Sequence, residues 1–224
     1  MTTFRTKSIV LRRTNYGEAD RILQLLTPEH GKVSVIARGV RREKSKLAGA
    51  VELFAVSDVT VSSGRGELGI LTSARLDTFF GKILEDYDRL QFGYEAVKQI
   101  DRAATTVEEE AFYRLLEQAL IALNTSEIDL RVIKTWFFLQ LAILLGVGAN
   151  LATDMSGEKL VEGERYSFSE NDESFVMDAR GRFTSGHIKL LRILSAHGPA
   201  VAMQVKNFDE LIGDCLWLAE RGVF

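Results

Sequence analysis

The sequence predicts an α+β protein: a small N-terminal β-barrel or sandwich, then a helical domain carrying a short β-hairpin insert. Three observations predict it. Short β-branched runs separated by turn signals fill the first 80 residues; the apolar period changes from two to about 3.6 at Gly81; and strand-like runs return between residues 150 and 183. These set the expected domains at 1–80 and 81–224, with the insert at about 150–183.

In order, the runs SIVLRR, RILQLLT, VSVIARG, ELFAVSDVTVSS and GILTSARLDTF read as about five strands. Asn15-Tyr16-Gly17, Pro28-Glu29-His30-Gly31 and Ser63-Gly64-Arg65-Gly66 are the turns between them. Beyond Gly81, Ile83, Leu84, Tyr87, Leu90 and Tyr94 recur at helical spacing, as do Phe112, Leu115, Leu116, Ala119 and Leu123; each set predicts a face turned to a core. Leu130 to Leu145 is apolar nearly all round and predicts a central buried helix ending at Gly146-Val147-Gly148. RYSFS and SFVMD predict the hairpin, closed by Asn171-Asp172-Glu173 and followed by the turn Ala179-Arg180-Gly181. Helix resumes in HIKLLRILSAHG, stops at Gly198-Pro199, and restarts where Asn207 is placed to cap with Glu210 at the capping-box position.

Composition narrows the function classes. At 224 residues and 46% hydrophobic, the chain can bury one sizeable core or two smaller ones. The single Cys215 excludes an intrachain disulfide framework, and with His30, His187 and His197 far apart an all-Cys/His zinc site is implausible. No signal peptide is evident at the N-terminus, so a cytoplasmic location is expected. The apolar run Trp136 to Ala149 falls short of the roughly 20 residues a bilayer span needs. No catalytic signature stands out: His30 lacks a nucleophile motif nearby, and Glu108-Glu109-Glu110 reads as the solvated start of a helix.

Charge is unevenly divided. The whole chain carries −3, yet cations outnumber carboxylates in the first 80 residues and the reverse holds afterwards. The basic residues concentrate in KVSVIARGVRREKSK, where Lys32, Arg38, Arg41, Arg42, Lys44 and Lys46 are opposed only by Glu43. Displayed on one surface, such cations neutralise phosphates and release condensed counterions, so nucleic acid is the expected partner. Gly39 lets the backbone bend between extended guanidiniums. Aromatic support for base stacking is thin, with only Phe4, Tyr16, Phe54, Phe79 and Phe80 in this half, several of them wanted by the core; backbone tracking should outweigh base readout. The string GRGELG at Gly64 to Gly69 matches a dinucleotide fingerprint in spacing, but strand-like ILTSARL follows where a helix is required. A glycine-rich hairpin turn with Arg65 at its tip, a further phosphate contact, is the better reading.

The order and spacing of several motifs resembles the RecO family of bacterial recombination mediator proteins. The likeness is carried by YGEADRILQLLT (Tyr16 to Thr27), HGK (His30 to Lys32), ARGVRREKSK (Ala37 to Lys46), Gly49, Phe54 and the turn at Gly64 to Gly66. LRVIKTWFFLQLAILLGVGANL (Leu130 to Leu151) extends it more loosely. The resemblance implies an N-terminal OB-fold, a helical C-terminal domain and no enzyme activity. It implies binding of single- and double-stranded DNA, annealing of complementary strands, contact with the acidic C-terminal tail of single-stranded DNA-binding protein (SSB), and work with RecR to load RecA. It makes Lys32, Arg38, Arg41, Arg42, Lys44 and Lys46 the leading DNA contacts and leaves Arg21, beside Glu18 and Asp20, as an ion-pair partner. Many such proteins hold zinc with four cysteines after the central helix. None stands in the corresponding stretch here, so no metal is expected, and Tyr166, Phe168, Phe175, Val176 and Phe183 should hold the hairpin by packing. For the SSB tail, Arg131 and Lys134 beside Trp136 and Phe137 are the expected cation and apolar pocket. Two other classes remain open at this point: an OB-fold module that binds RNA or another partner, and a nicotinamide-dependent enzyme using Gly64 to Gly69.

Overall fold

The computed structural model describes residues 2–63, 66, 68–104 and 110–222. It forms two compact units, residues 1–124 and 125–224. The described residues of the first form five strands, β1 (Thr3–Tyr16), β2 (Asp20–Thr27), β3 (Gly31–Ala37), β4 (Ala55–Ser62) and β5 (Gly69–Phe79), and two α-helices, α1 (Tyr87–Ala103) and α2 (Glu110–Leu123). The strands close a barrel in the order β1-β2-β3-β5-β4, the OB-fold arrangement. One long strand makes this possible: β1 pairs with β4 through Thr3–Ile9 and with β2 through Ile9–Tyr16. A register shift between Val10 and Arg12 bends it from one neighbour to the other. The barrel closes through a parallel seam in which Val35 faces Gly69 and Ile36 faces Ile70. Alternating side chains, including Val10, Leu23, Leu25, Val35, Val59 and Leu71, fill the interior.

Helix α1 departs from the expected face. Leu84, Tyr87 and Tyr94 are 51%, 74% and 46% exposed, and the buried side is Arg89, Phe92, Gly93, Ala96, Val97 and Ile100. The cause is a 3-10 turn over Gly81–Glu85, which ends before Asp86 caps α1 by accepting from Arg89 N at 3.0 Å. The turn buries Ile83 but breaks its phase with the helix that follows. The unit boundary also lies well beyond residue 80, because α1 and α2 group with the barrel.

The second unit is built on α3 (Leu130–Leu145), whose C-cap Gly146 adopts the left-handed conformation. Around it lie α4 (Ser185–Ala196), the short α5 (Pro199–Ala202) and α6 (Phe208–Arg221). Gln140 donates to the carbonyls of Leu194 and Ser195, satisfying groups that the end of α4 leaves without helical partners. The expected hairpin is present as β6 (Arg165–Ser169) and β7 (Ser174–Met177), with a third strand, β8 (Phe183–Thr184), on the other side of β6. Tyr166, Phe175 and Phe183 are fully buried, and Phe175 meets Phe183 edge-on at 5.5 Å between centroids. Asn207 takes a left-handed backbone (φ 60°) and makes no side-chain cap, contrary to expectation; its carbonyl accepts from Glu210 N at 3.2 Å.

A capping box forms instead at the start of α4. His187 Nδ1 accepts from Thr184 N at 3.0 Å, which places the neutral ring's proton on Nε2. That Nε2 is buried without a hydrogen-bond partner among the described residues, 3.6 Å from Asp214. Burial therefore holds the His187 pKa below its ordinary 6.5, overriding the opposing pull of Asp214. The folded state binds fewer protons than the unfolded one, so this contribution to stability is complete above about pH 6.5 and is lost as pH falls below it. Urea midpoints read by tryptophan fluorescence, which reports on this unit alone because Trp136 and Trp217 both lie in it, should fall between about pH 7 and pH 5. His187→Gln keeps the capping acceptor and should flatten that fall; an equal fall in both proteins would remove His187 as its cause.

Candidate nucleic-acid interface

The basic segment begins where β3 leaves the barrel. Gly39 adopts φ 65°, a conformation that strains a residue bearing Cβ, and its N–H donates to Asp20 Oδ1 at 2.7 Å. The turn folds back so that Val40 is buried in the barrel core. The next amide, Arg41 N, donates to Ala19 O at 2.9 Å. Both acceptors belong to the β1–β2 hairpin, so the loop is clamped across its tip. Two further turns follow, Arg42 N to Gly39 O at 3.1 Å and Ser45 N to Arg42 O at 3.0 Å, and the loop ends in a 3-10 turn at Ala48–Ala50.

This arrangement leaves Arg38, Arg41, Arg42, Lys44 and Lys46 exposed. None of the five pairs with a carboxylate among the described residues; the Arg41 guanidinium makes one long bond, 3.4 Å, to the Gly17 carbonyl. Other barrel cations behave differently. Arg13 pairs with Glu52, Lys7 with Asp77 at 2.6 Å, and Arg75 with Asp58 at 2.7 Å. The hydrogen bond from Arg75 holds the Asp58 carboxyl below its usual range, and that from Lys7 to Asp77 raises the lysine. Five barrel cations without a carboxylate partner thus gather on one clamped loop, while Arg5 and Arg21, also without one among the described residues, lie on β1 and β2.

Two of the sequence candidates do not join it. Lys32 lies on β3 with its side chain 19% exposed, and its Nζ stands 2.8 Å from Asp101 Oδ1 of α1. Its directed hydrogen bond, 2.6 Å, runs to the Asp101 carbonyl, which leaves Oδ1 held by charge alone. Arg12 approaches the same carboxylate at 3.9 Å. Lys32 therefore ties strand to helix. Arg131 is held by two carboxylates, Asp129 at 2.6 Å and Asp209 at 2.5 Å, which together raise its already high pKa. Trp136 and Phe137, the apolar partners expected beside it, are buried. Arg65 lies outside the described residues. Arg21, expected in an ion pair, donates to Asn15 Oδ1 at 3.2 Å.

The dinucleotide reading fails on secondary structure: Gly69 opens β5 where that fingerprint needs a helix. Among the described residues no cluster of three or more His, Cys, Asp or Glu side chains is disposed to hold a metal, and no helix is long and apolar enough to cross a membrane. In the cysteine-free stretch after α3, Asp154 Oδ1 accepts from Ser156 N at 2.9 Å, Ser156 Oγ at 2.8 Å and Glu158 N at 3.1 Å. These bonds, that from Ser156 Oγ foremost, hold the Asp154 carboxyl below its usual range. A carboxylate organises this turn by hydrogen bonds.

Known proteins bear directly on this barrel and loop. The family described as "Recombination protein O N terminal" matches residues 1–80. A "DNA repair protein RecO" of Rubrobacter xylanophilus is 34% identical over 169 residues, covering 75% of this chain and 68% of that protein. The chain belongs to the RecO family. Two Bifidobacterium longum proteins of the same name are 39% identical over 126 residues, and the match spans 52% of each.

Within this RecO chain the family motif acquires physical roles. In YGEADRILQLLT, Asp20 anchors the basic loop while Leu23 and Leu25 enter the barrel core. In HGK, Gly31 turns the chain with φ 56° and its carbonyl accepts from Thr27 Oγ1 at 3.1 Å. Phe54 is buried with φ 58°, and its ring stacks obliquely on Tyr94 at 5.1 Å. One candidate is brought out by the structure: Tyr16, last residue of β1, is 55% exposed beside the loop anchor. Sequence reading counted it among five aromatics on offer for base stacking, several of them wanted by the core; its position at a hairpin tip was the signal that could single it out.

Proposed function

We propose that this RecO chain acts in DNA repair and recombination as a DNA-binding mediator without enzymatic activity. It holds single- and double-stranded DNA by the phosphates, lowers the mutual repulsion of two strands and so anneals complementary ones. With RecR it assists loading of RecA on DNA coated by SSB, whose acidic C-terminal tail it contacts, in the cytoplasm. One observation carries the reading: five unpaired cations on a loop fixed to the barrel by Asp20 and Ala19. Residues 1–80 are the DNA-binding part in this proposal, with Arg38, Arg41, Arg42, Lys44 and Lys46 as phosphate contacts. Lys32 and Arg131 are left out because Asp101, and Asp129 with Asp209, already neutralise them. Strand handling of this kind makes and breaks no covalent bond.

The test is the salt dependence of binding. Five neutralised phosphates on a single strand predict that log affinity falls with log salt at a slope of about −3 to −4. Fluorescence anisotropy with a labelled oligonucleotide measures it, and annealing of SSB-coated complementary strands, with and without the SSB tail, checks the activity. A flat salt response would remove the phosphate-holding reading.

A further inference from the structure

We propose that Tyr16 is a base-stacking platform that makes this surface favour unpaired DNA over duplex. The inference rests on the DNA-binding reading above and adds to it a ligand class.

The argument begins with register. Tyr16 on β1 pairs with Asp20 on β2, and directly paired residues of an antiparallel ladder project from the same face. Asp20 uses that face to hold Gly39 N at 2.7 Å, so the arginine loop and the Tyr16 ring share one side of the hairpin. Arg41 reaches the carbonyl of Gly17, the residue after the tyrosine. Tyr16 is 55% exposed, and its side chain makes no hydrogen bond or ring contact with a described residue. Burial does not account for it: Phe54 and Phe80 of the same half lie in the core, and Phe4 is occupied by His30 at 4.1 Å. An uncommitted aromatic face beside cations that track phosphates is the combination by which proteins hold single strands.

The preference follows from what each ligand offers. An unpaired strand presents a free base face when its phosphates meet Arg38, Arg41 and Arg42. In a duplex every base is already stacked between neighbours, so only the phosphates remain to be held. Tyr16 then binds separated strands more firmly than the annealed product, and the product leaves more readily than the strands that formed it.

The test uses the full chain and three labelled ligands of equal length at one salt concentration: a thymidine strand, a duplex, and a sugar-phosphate strand lacking bases. Tyr16→Ala should weaken binding of the thymidine strand about 5- to 100-fold, while duplex and base-free strand change less than about twofold. Tyr16→Phe, which keeps the ring, should bind all three as the unaltered chain does. Equal loss on all three ligands, no loss on any, or a Tyr16→Phe as weak as Tyr16→Ala would each overturn the stacking role. Failure of the unaltered chain to bind any ligand would instead overturn the DNA-binding reading itself, and the stacking role with it.

Discussion

Replacing Arg38, Arg41 and Arg42 together by alanine should lower single-strand affinity about 100-fold at about 0.1 M salt. The figure comes from counterion release: each phosphate contact to a single strand contributes about 0.7 to the log-log salt slope, so three contacts are worth about two powers of ten at that salt. The slope should shrink by about 2 at the same time, and the affinities of the variant and the unaltered chain should converge toward high salt. Stability should barely move, within about 0.5 kcal/mol, because exposed, unpaired charges contribute little to folding. Lys32→Met supplies the contrast. It breaks a pair only about one-fifth exposed on either side and leaves the Asp101 carboxylate with only Arg12, 3.9 Å away, so it should cost about 1–3 kcal/mol of stability while DNA affinity at a temperature where the protein stays folded holds. The reverse pattern, a stable triple variant with full affinity, would place the DNA elsewhere on the molecule.

Gly181→Ala should be the most damaging single substitution in the second unit. A Cβ at this position would lie 2.2 Å from the Tyr166 carbonyl carbon, 2.3 Å from its oxygen and 2.7 Å from Ser167 N. These are backbone atoms of β6, the middle strand of the three-stranded sheet, and cannot swing aside as a side chain would. The turn is fixed from both ends, by Gly181 N donating to Asp178 O at 2.8 Å and Arg165 Nε donating to Gly181 O at 2.7 Å. Making room means lifting β8 and drawing Phe183 out of its contact with Phe175, a loss of about 3 kcal/mol or more. Tryptophan fluorescence in urea reads this unit directly, since both tryptophans lie in it. Ala179→Ser, on the exposed side of the same turn, should change the midpoint little. A Gly181→Ala protein with an unchanged midpoint would mean that the strand-to-turn contact is looser than 2.2 Å implies.

The strands were legible because half-buried barrel strands alternate, and the buried helix because Leu130 to Leu145 is apolar on every side and stops at a glycine. The length of β1 was not: Thr3 to Lys7 and Arg12 to Tyr16 are mainly polar, and they become strand only because β4 and β2 lie alongside. The face of α1 was misjudged because no local signal marks the 3-10 turn that resets its phase. In the basic segment the loop could be read from composition, whereas its membership could not. Lys32 and Arg131 look like their neighbours in sequence; Asp129 stands two residues from Arg131, but the partners Asp101 and Asp209 are 69 and 78 residues away. Local pattern reading sees neither remote partner. It did expect the satellite core of Tyr166, Phe175 and Phe183, because aromatic residues in a hairpin without cysteines have few other uses.

The two main-chain N–H groups that pin the β3 loop, Gly39 N to the Asp20 carboxylate and Arg41 N to the Ala19 carbonyl, bear on the thermodynamics of capture. A free loop must surrender main-chain freedom, about 1–2 kcal/mol for each residue, whenever it settles on a polyanion. Here that ordering around Gly39 to Arg41 has already occurred during folding, and an arriving strand has only the side-chain rotors left to quiet. The hairpin tip is thus a preset frame, and cutting the Asp20 anchor should weaken the grip without removing a single positive charge.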